Sequence, residues 1–175
     1  LQHIVRLLPY NIFEVLIMKK IYTFIPLKEK HKKLLESSSS NCECIHLGQI
    51  KPSLDQVKDA NVIIGNIPVD ILKNIPNLEF VQLNSAGTNG YSDNPDFPKN
   101  VVLANASGAY GVAISECILA GILTLMKHMP SYIQNQSHHE WKDEGKVKSI
   151  YGSNILVLGL GDIGKEFSKR AYAMG

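Results

Sequence analysis

The stretch that most constrains the fold is residues 154–174, close to the end of the chain. Residues 155–158 (ILVL) form a short apolar run with the length of a buried strand. This run leads directly into residues 159–164 (GLGDIG), a G-x-G-x-x-G motif. Apolar residues then recur every four positions, as on one face of a helix: Ile163, Phe167 and Ala171. The order of strand, glycine turn and helix favours a dinucleotide-binding corner, the alternative being a glycine-rich loop in another α/β domain.

The three motif glycines have separate expected roles in such a corner. Gly159 permits a tight turn, Gly161 lets the backbone approach a pyrophosphate, and Gly164 lets helix and strand pack closely. The amides of the first helical turn then face the anion at the positive end of the helix. A complete mononucleotide-binding half needs βαβαβ. Because the sequence holds about one such βα unit, we expect it to be a fragment.

Composition is that of a globular protein and gives no sign of a nucleic-acid or membrane partner. Apolar residues make up 45% and charged residues 19% of the 175, with a formal net charge of +2. The cysteines Cys42, Cys44 and Cys117 form neither a disulfide framework nor a zinc pattern, which favours a reducing, cytoplasmic location. Cys117 lies in an apolar helical run and is expected to be a small core residue. Residues 1–17 are expected to be an extension outside the fold.

From Met18 onward, strand-like and helix-like segments alternate. Helices are expected over residues 27–36, from a capping box at residues 53–56 (SLDQ), and over residues 69–74. This alternation predicts an α/β fold, a flavodoxin-like parallel sheet with helices on both faces. The expected strands are residues 20–25, 44–47, 61–65, 79–83 and 101–104.

Residues 111–128 differ from the preceding segments because their apolar residues leave almost no polar face. A helix of this kind must be buried on several sides. We therefore expect it to join two domains and to meet a second subunit. The expected organisation is a substrate-binding domain over residues 18–110, a connecting segment over 111–153, and the start of a Rossmann domain over 154–175.

Ligands of open α/β sheets bind beyond the carboxyl ends of the strands, and three loops qualify. Residues 84–90 (NSAGTNG) are small enough for successive amides to converge on a carboxylate, the alternative being a plain turn. Residues 65–68 (GNIP) are expected to form a rigid rim, because Pro68 restricts the residue before it. Residues 105–110 end in Tyr110, which could reach an active-site cleft or pack a joint between domains.

No catalytic constellation is visible in the sequence. Residues 138–140 (HHE) have hydrophilic neighbours and are expected to be a solvated face, and His46 lies on a strand and is expected to be structural. No carboxylate pair, metal cluster or Ser/His/Asp arrangement stands out.

Three blocks of sequence resemble the D-isomer-specific 2-hydroxyacid dehydrogenases of the phosphoglycerate dehydrogenase type. They are residues 82–87 (QLNSAG), residues 105–108 (NASG) with residues 114–116 (ISE), and residues 157–164 (VLGLGDIG). The resemblance implies a flavodoxin-like substrate domain, a long helix, and a Rossmann domain that binds NAD or NADP. It also implies hydride transfer between a D-2-hydroxy acid and its 2-oxo acid, and a homodimer at full length. Ser107 departs from the pattern, because many relatives have proline there.

The resemblance implies roles for single positions. The backbone around Ser85, Ala86 and Gly87 would hold the substrate carboxylate, with Tyr110 as a further candidate. The NAD pyrophosphate would be cradled by Gly159, Gly161, Asp162, Ile163 and Gly164. The catalytic arginine, its acidic partner and the histidine of the family would lie beyond residue 175, so no catalytic residue is expected here. The alternatives are a non-enzymatic carboxylate-binding or oligomerisation module, or another nucleotide-using class such as a methyltransferase.

Overall fold

The computed structural model describes residues 18–39 and 41–175. The extension expected over residues 1–17 lies outside these residues. The described residues divide into two compact units, the first ending at Ala106 and the second formed by Ser107–Gly175, and the domain boundaries expected from the sequence remain predictions.

The first unit is built on a five-stranded, fully parallel sheet. Its strands are β1 Lys19–Thr23, β2 Cys42–His46, β3 Val62–Ile64, β4 Phe80–Gln82 and β5 Val102–Ala104, in the order β2-β1-β3-β4-β5. This is the flavodoxin-like order with one helix in each of the first three crossovers. The α/β fold class and all five expected strands are confirmed. The helices of this unit are α1 Glu29–Ser38, α2 Leu54–Val57 and α3 Val69–Leu72.

Successive strand residues point to opposite sides of the sheet, and an apolar cluster covers each of the two faces. Ile63 and Val81 are fully buried in one cluster, together with Val57 of α2 and Leu72 of α3. The other face holds a smaller cluster in which Leu35 of α1 packs against strand residues: Ile21, Val62 and Ile64. Both faces of β3 are therefore apolar, as expected for a strand in the interior of a parallel sheet.

The capping box expected at residues 53–56 is present. The backbone N–H of Ser53 donates to Oε1 of Gln56 at 2.9 Å, which satisfies a donor that the start of a helix leaves free. The helix that follows is only the four residues of α2. In contrast, α1 runs two residues past its expected end, and the hydroxyl of Ser38 donates to the carbonyl of Leu34 at 2.7 Å.

A surface ion pair links β1 to the segment after α2. The Lys20 ammonium donates to Asp59 at 2.6 Å and the Tyr22 hydroxyl donates to the same carboxylate at 2.8 Å. The hydrogen bond from Lys20, followed by that from Tyr22, lowers the pKa of the Asp59 carboxyl. A lowered folded-state pKa gives stability that is present above the unfolded pKa of about 3.9 and is lost as the pH falls through the folded pKa.

We expect Asp59→Asn to reduce the stability lost on acidification, because asparagine does not titrate. Urea unfolding at pH 7 and pH 3 measures this difference, which should be small because both charged side chains are partly exposed. Asp55→Asn is the control, since its carboxylate is 94% exposed and lies 3.8 Å from Lys58. An equal loss on acidification in both variants would contradict the expectation.

The second unit is helical, with α4 Gly111–Met126, α5 Met129–Ser137 and α6 Asp162–Ala173. α4 packs against α6 and α5 and buries Gly111, Ser115 and Leu119. Val112 and Leu125 are 51% and 71% exposed, so the expected burial of this helix on several sides is wrong for the chain by itself. Among the described residues no single helix is long and apolar enough to cross a bilayer, although α4 and α5 reach that length as a pair bent by 69°.

Two further sequence expectations in this unit are wrong. Cys117 is exposed, because it lies on α4 outside the line of residues that the helix buries. Residues 155–158 are not a strand, although they lead into the glycine motif as expected. A strand is defined by a ladder of hydrogen bonds to a neighbouring strand. The described part of the second unit contains no other strand that could form this ladder.

Candidate functional site

The loop after β4 lies between two other loops because of the order of the strands. β4 is flanked by β3 and β5, and all three strands are parallel. Their carboxyl ends therefore meet at one edge of the sheet. Asn66 follows β3, Ser85 follows β4 and Asn105 follows β5, so the sheet places these three residues side by side.

Three successive carbonyl groups of the β4 loop accept hydrogen bonds from the protein. The Ser85 carbonyl accepts from the backbone N–H of Ala106 at 2.9 Å, and the Ala86 carbonyl accepts from Nδ2 of Asn105 at 2.7 Å. The Gly87 carbonyl accepts from the Ser85 hydroxyl at 2.8 Å. All three peptide oxygens are thus turned towards partners within the first unit.

The orientation of the carbonyls determines that of the amides. In a trans peptide the N–H of the next residue points opposite to the C=O, and the described residues contain no cis peptide. The N–H groups of Ala86, Gly87 and Thr88 therefore point away from the partners of the three carbonyls. Within residues 18–39 and 41–175 these amides donate no hydrogen bond. The loop presents three successive donors, the arrangement that a carboxylate can accept from.

The two asparagines that brace the loop were not recognised from the sequence. Oδ1 of Asn66 accepts from the backbone N–H of Asn84 at 2.9 Å, and its Nδ2 donates to the Ser85 hydroxyl at 2.9 Å. Asn105 holds Ala86 from the other side. The available signal was that both asparagines lie within two residues of the end of a strand that neighbours β4.

Tyr110 is the N-cap residue of α4 and belongs to the second unit. The residue is 39% exposed and interacts with other residues of the protein. Its proposed part in substrate binding therefore remains a prediction.

The glycine motif forms a sharp corner that ends at α6. Gly159 has a φ of +92°, which an L-residue rarely adopts, and Gly161 is the N-cap of α6 with no side-chain cap. A Cβ at Gly161 would meet nothing within 4 Å, whereas one at Gly164 would overlap the carbonyl oxygen of Gly159. The first glycine therefore permits the turn and the third permits close packing. The second leaves room for a ligand at the start of the helix.

Asp162 has a contact that the sequence did not indicate. Its carboxyl group lies so close to Gly111, the first residue of α4, that a Cβ built there would be 2.6 Å from Oδ1 of Asp162. A carboxylate at this position is favoured by the positive end of the α4 dipole. Asp162 thus connects the start of α6 to the start of α4 within the second unit.

Other chemistry-bearing side chains are not assembled into a site. His138, His139 and Glu140 are exposed, as expected for a solvated face. Burial raises the pKa of the Cys42 and Cys44 thiols, so both stay protonated near neutral pH. No group of three potential metal ligands lies together in the part of the chain that the structure describes.

Sequence comparison gives matches at both domain and whole-chain level. Residues 119–175 match the family described as D-isomer specific 2-hydroxyacid dehydrogenase, NAD binding domain. A D-3-phosphoglycerate dehydrogenase of Methanocaldococcus jannaschii is 26% identical over 164 residues, which is 90% of this chain and 31% of the relative. A hydroxypyruvate reductase of Thermotoga maritima is 24% identical over 146 residues, 83% of this chain and 47% of the relative. The chain thus spans less than half the length of these curated relatives.

Solved structures show the same fold. A D-isomer specific 2-hydroxyacid dehydrogenase family protein from Aeromonas salmonicida superposes with a TM-score of 0.77 at 18% identity, covering 91% of this chain and 52% of that one. An NAD⁺-bound 3-phosphoglycerate dehydrogenase of Entamoeba histolytica gives 0.66 at 17% identity, with 91% and 52% covered. At these identities the structural likeness establishes the fold.

Proposed function

We propose that the chain is part of an NAD-dependent oxidoreductase of the D-isomer-specific 2-hydroxyacid dehydrogenase type. The reaction is the interconversion of a D-2-hydroxy acid and its 2-oxo acid by hydride transfer. The observation that carries this proposal is the match of residues 119–175 to the NAD-binding domain of that family. The geometry of the β4 loop in the first unit supports it independently.

The first unit binds the carboxylate group of the acid. The substrate carboxylate accepts hydrogen bonds from backbone amides of the loop, which Ser85, Ala86 and Gly87 shape. Hydrogen bonds to an ionised acceptor are roughly twice as strong as those between neutral groups. Since the loop carbonyls already have partners, the amides are oriented before the acid arrives and little ordering is needed on binding.

The second unit supplies the start of the cofactor site. The turn at Gly159, the open side of Gly161 and the first-turn amides of Asp162, Ile163 and Gly164 fit a pyrophosphate. When bound, NAD supplies the hydride acceptor or donor. The residues of this chain hold its phosphates and do not take part in the hydride step.

We expect the 175 residues alone to give no NADH-dependent reduction of hydroxypyruvate or glyoxylate above background. No general acid is assembled within the described residues, and such a group contributes about 10²–10⁴-fold to rate. The loss of NADH absorbance at 340 nm measures the reaction. Turnover by this chain at the rate of an ordinary enzyme would contradict the expected inactivity.

The companion experiment expresses the full in-frame product that contains these residues and tests both directions of the reaction. D-glycerate, and not L-glycerate, should reduce NAD if the proposal is right. A product that ends at residue 175, or a longer one without activity on any of these acids, would instead favour a carboxylate-binding or oligomerisation module.

Two further properties belong to the same proposal. The exposed apolar residues of α4, such as Val112 and Leu125, suit a homodimer of the full protein, because a surface of this kind is stabilised by a partner. The three thiols are unpaired, which agrees with a cytoplasmic location.

A further inference from the structure

Asn66 lies outside the β4 loop, yet its side chain hydrogen-bonds to two loop residues. It accepts from the N–H of Asn84 and donates to the Ser85 hydroxyl, each at 2.9 Å. The same hydroxyl donates onward to the Gly87 carbonyl at 2.8 Å. We propose that Asn66 is a positioning residue for the carboxylate site, an inference that rests on the proposed function of this loop.

The backbone on both sides of Asn66 is firmly held. The N–H of Gly65 donates to the Gln82 carbonyl at 2.8 Å, which continues the pairing of β3 with β4. Ile67 is 2% exposed, and its carbonyl accepts from the Tyr91 hydroxyl at 3.1 Å. Asn66 therefore projects from a fixed part of the fold, and it can transmit that rigidity to a loop whose own residues are largely exposed.

The primary amide suits this role for two chemical reasons. It offers one acceptor and one donor at the same time, which matches the N–H of Asn84 and the hydroxyl of Ser85. It is also neutral, whereas an aspartate of the same shape would place a negative charge beside a bound carboxylate. Without the side chain, the loop must be ordered when the acid binds, and that ordering weakens binding.

The test is a titration of glyoxylate into the ¹⁵N-labelled chain. The amide chemical shifts of Ala86, Gly87 and Thr88 are measured at each glyoxylate concentration and give Kd. Asn66→Ala should raise Kd about tenfold, the effect of losing a hydrogen bond or two, with the thermal midpoint close to that of wild type. The control is Asn74→Ala, which removes an amide that donates to the Asp70 carbonyl at 2.7 Å, outside the loop. It should change neither Kd nor the loop dynamics.

A second measurement separates positioning from general stability. Heteronuclear NOE values of residues 84–88, recorded without ligand, should fall in Asn66→Ala and not in the control. Unchanged Kd and NOE values in Asn66→Ala would overturn the inference and leave the proposed function standing. A loss of affinity that merely follows a loss of global stability would also overturn it. If wild type fails to bind glyoxylate, the carboxylate site itself is refuted, and the positioning role with it.

Discussion

Replacing Gly164 with alanine is expected to disrupt the glycine corner and to detach the start of α6. The added Cβ would overlap the Gly159 carbonyl oxygen and would lie 3.4 Å from Cγ1 of Val157. The overlapping group is backbone in a tight turn at φ +92°, so it cannot move aside as a flexible side chain could. We expect a destabilisation of about 3 kcal/mol or more, at the upper end of overpacking effects. Hydrogen exchange of the α6 amides measures it as a large loss of protection.

Gly121→Ala is the matched control, because it makes the same change inside α4 of the same unit. A Cβ at Gly121 would meet nothing within 4 Å, and alanine is favoured over glycine in a helix by about 1 kcal/mol. The two substitutions should therefore change stability in opposite directions. Equal protection in Gly164→Ala and wild type would show that helix and turn do not pack in this way.

The second large effect is expected in the core of the first unit. Ile63 is fully buried on β3, in the interior of the sheet. Ile63→Ala removes three carbons and leaves a cavity, a change that costs about 2–5 kcal/mol. For a unit of this size the thermal midpoint should fall by about 10 °C or more, as measured by far-ultraviolet circular dichroism.

The control is Ile50→Ala, the same substitution at a side chain that is 46% exposed. It should change the free energy of unfolding by no more than about 0.5 kcal/mol, as surface substitutions usually do. A fall of similar size in both variants would mean that Ile63 does not lie in the interior of this sheet.

The sheet could be predicted from sequence because its local signals agree. Parallel strands buried on both faces give short apolar runs such as residues 62–64, and the polar segments between them have helical character. The capping box at Ser53 marked the start of α2 directly. Strand ends moved by one or two residues, since apolar character continues past the last ladder pair.

The features that were missed depend on neighbours that periodicity does not specify. The hydrophobicity of α4 does not indicate which side of the helix is covered by neighbours. The exposure of Cys117 could therefore not be predicted from the sequence. Residues 155–158 are apolar enough for a buried strand, but a strand also needs a neighbouring strand to pair with, and the apolar pattern does not indicate one. At the candidate site, the loop after β4 was recognised from its small residues. The hydrogen bonds from Asn66 and Asn105 to the loop required the strand order, which brings residues 18 or 19 positions apart into contact.

Because the carbonyls of the β4 loop already accept hydrogen bonds, the loop offers a ligand mainly its backbone N–H groups. Binding through backbone N–H groups depends little on which side chains the loop carries. Gly87 illustrates this, since its φ is not in the left-handed region and a Cβ there would meet open space. Under the proposed function, the bulk and polarity at residues 86 and 87 can vary, and with them the acids that fit, while the adjoining asparagines keep the backbone amides in place for the acid group.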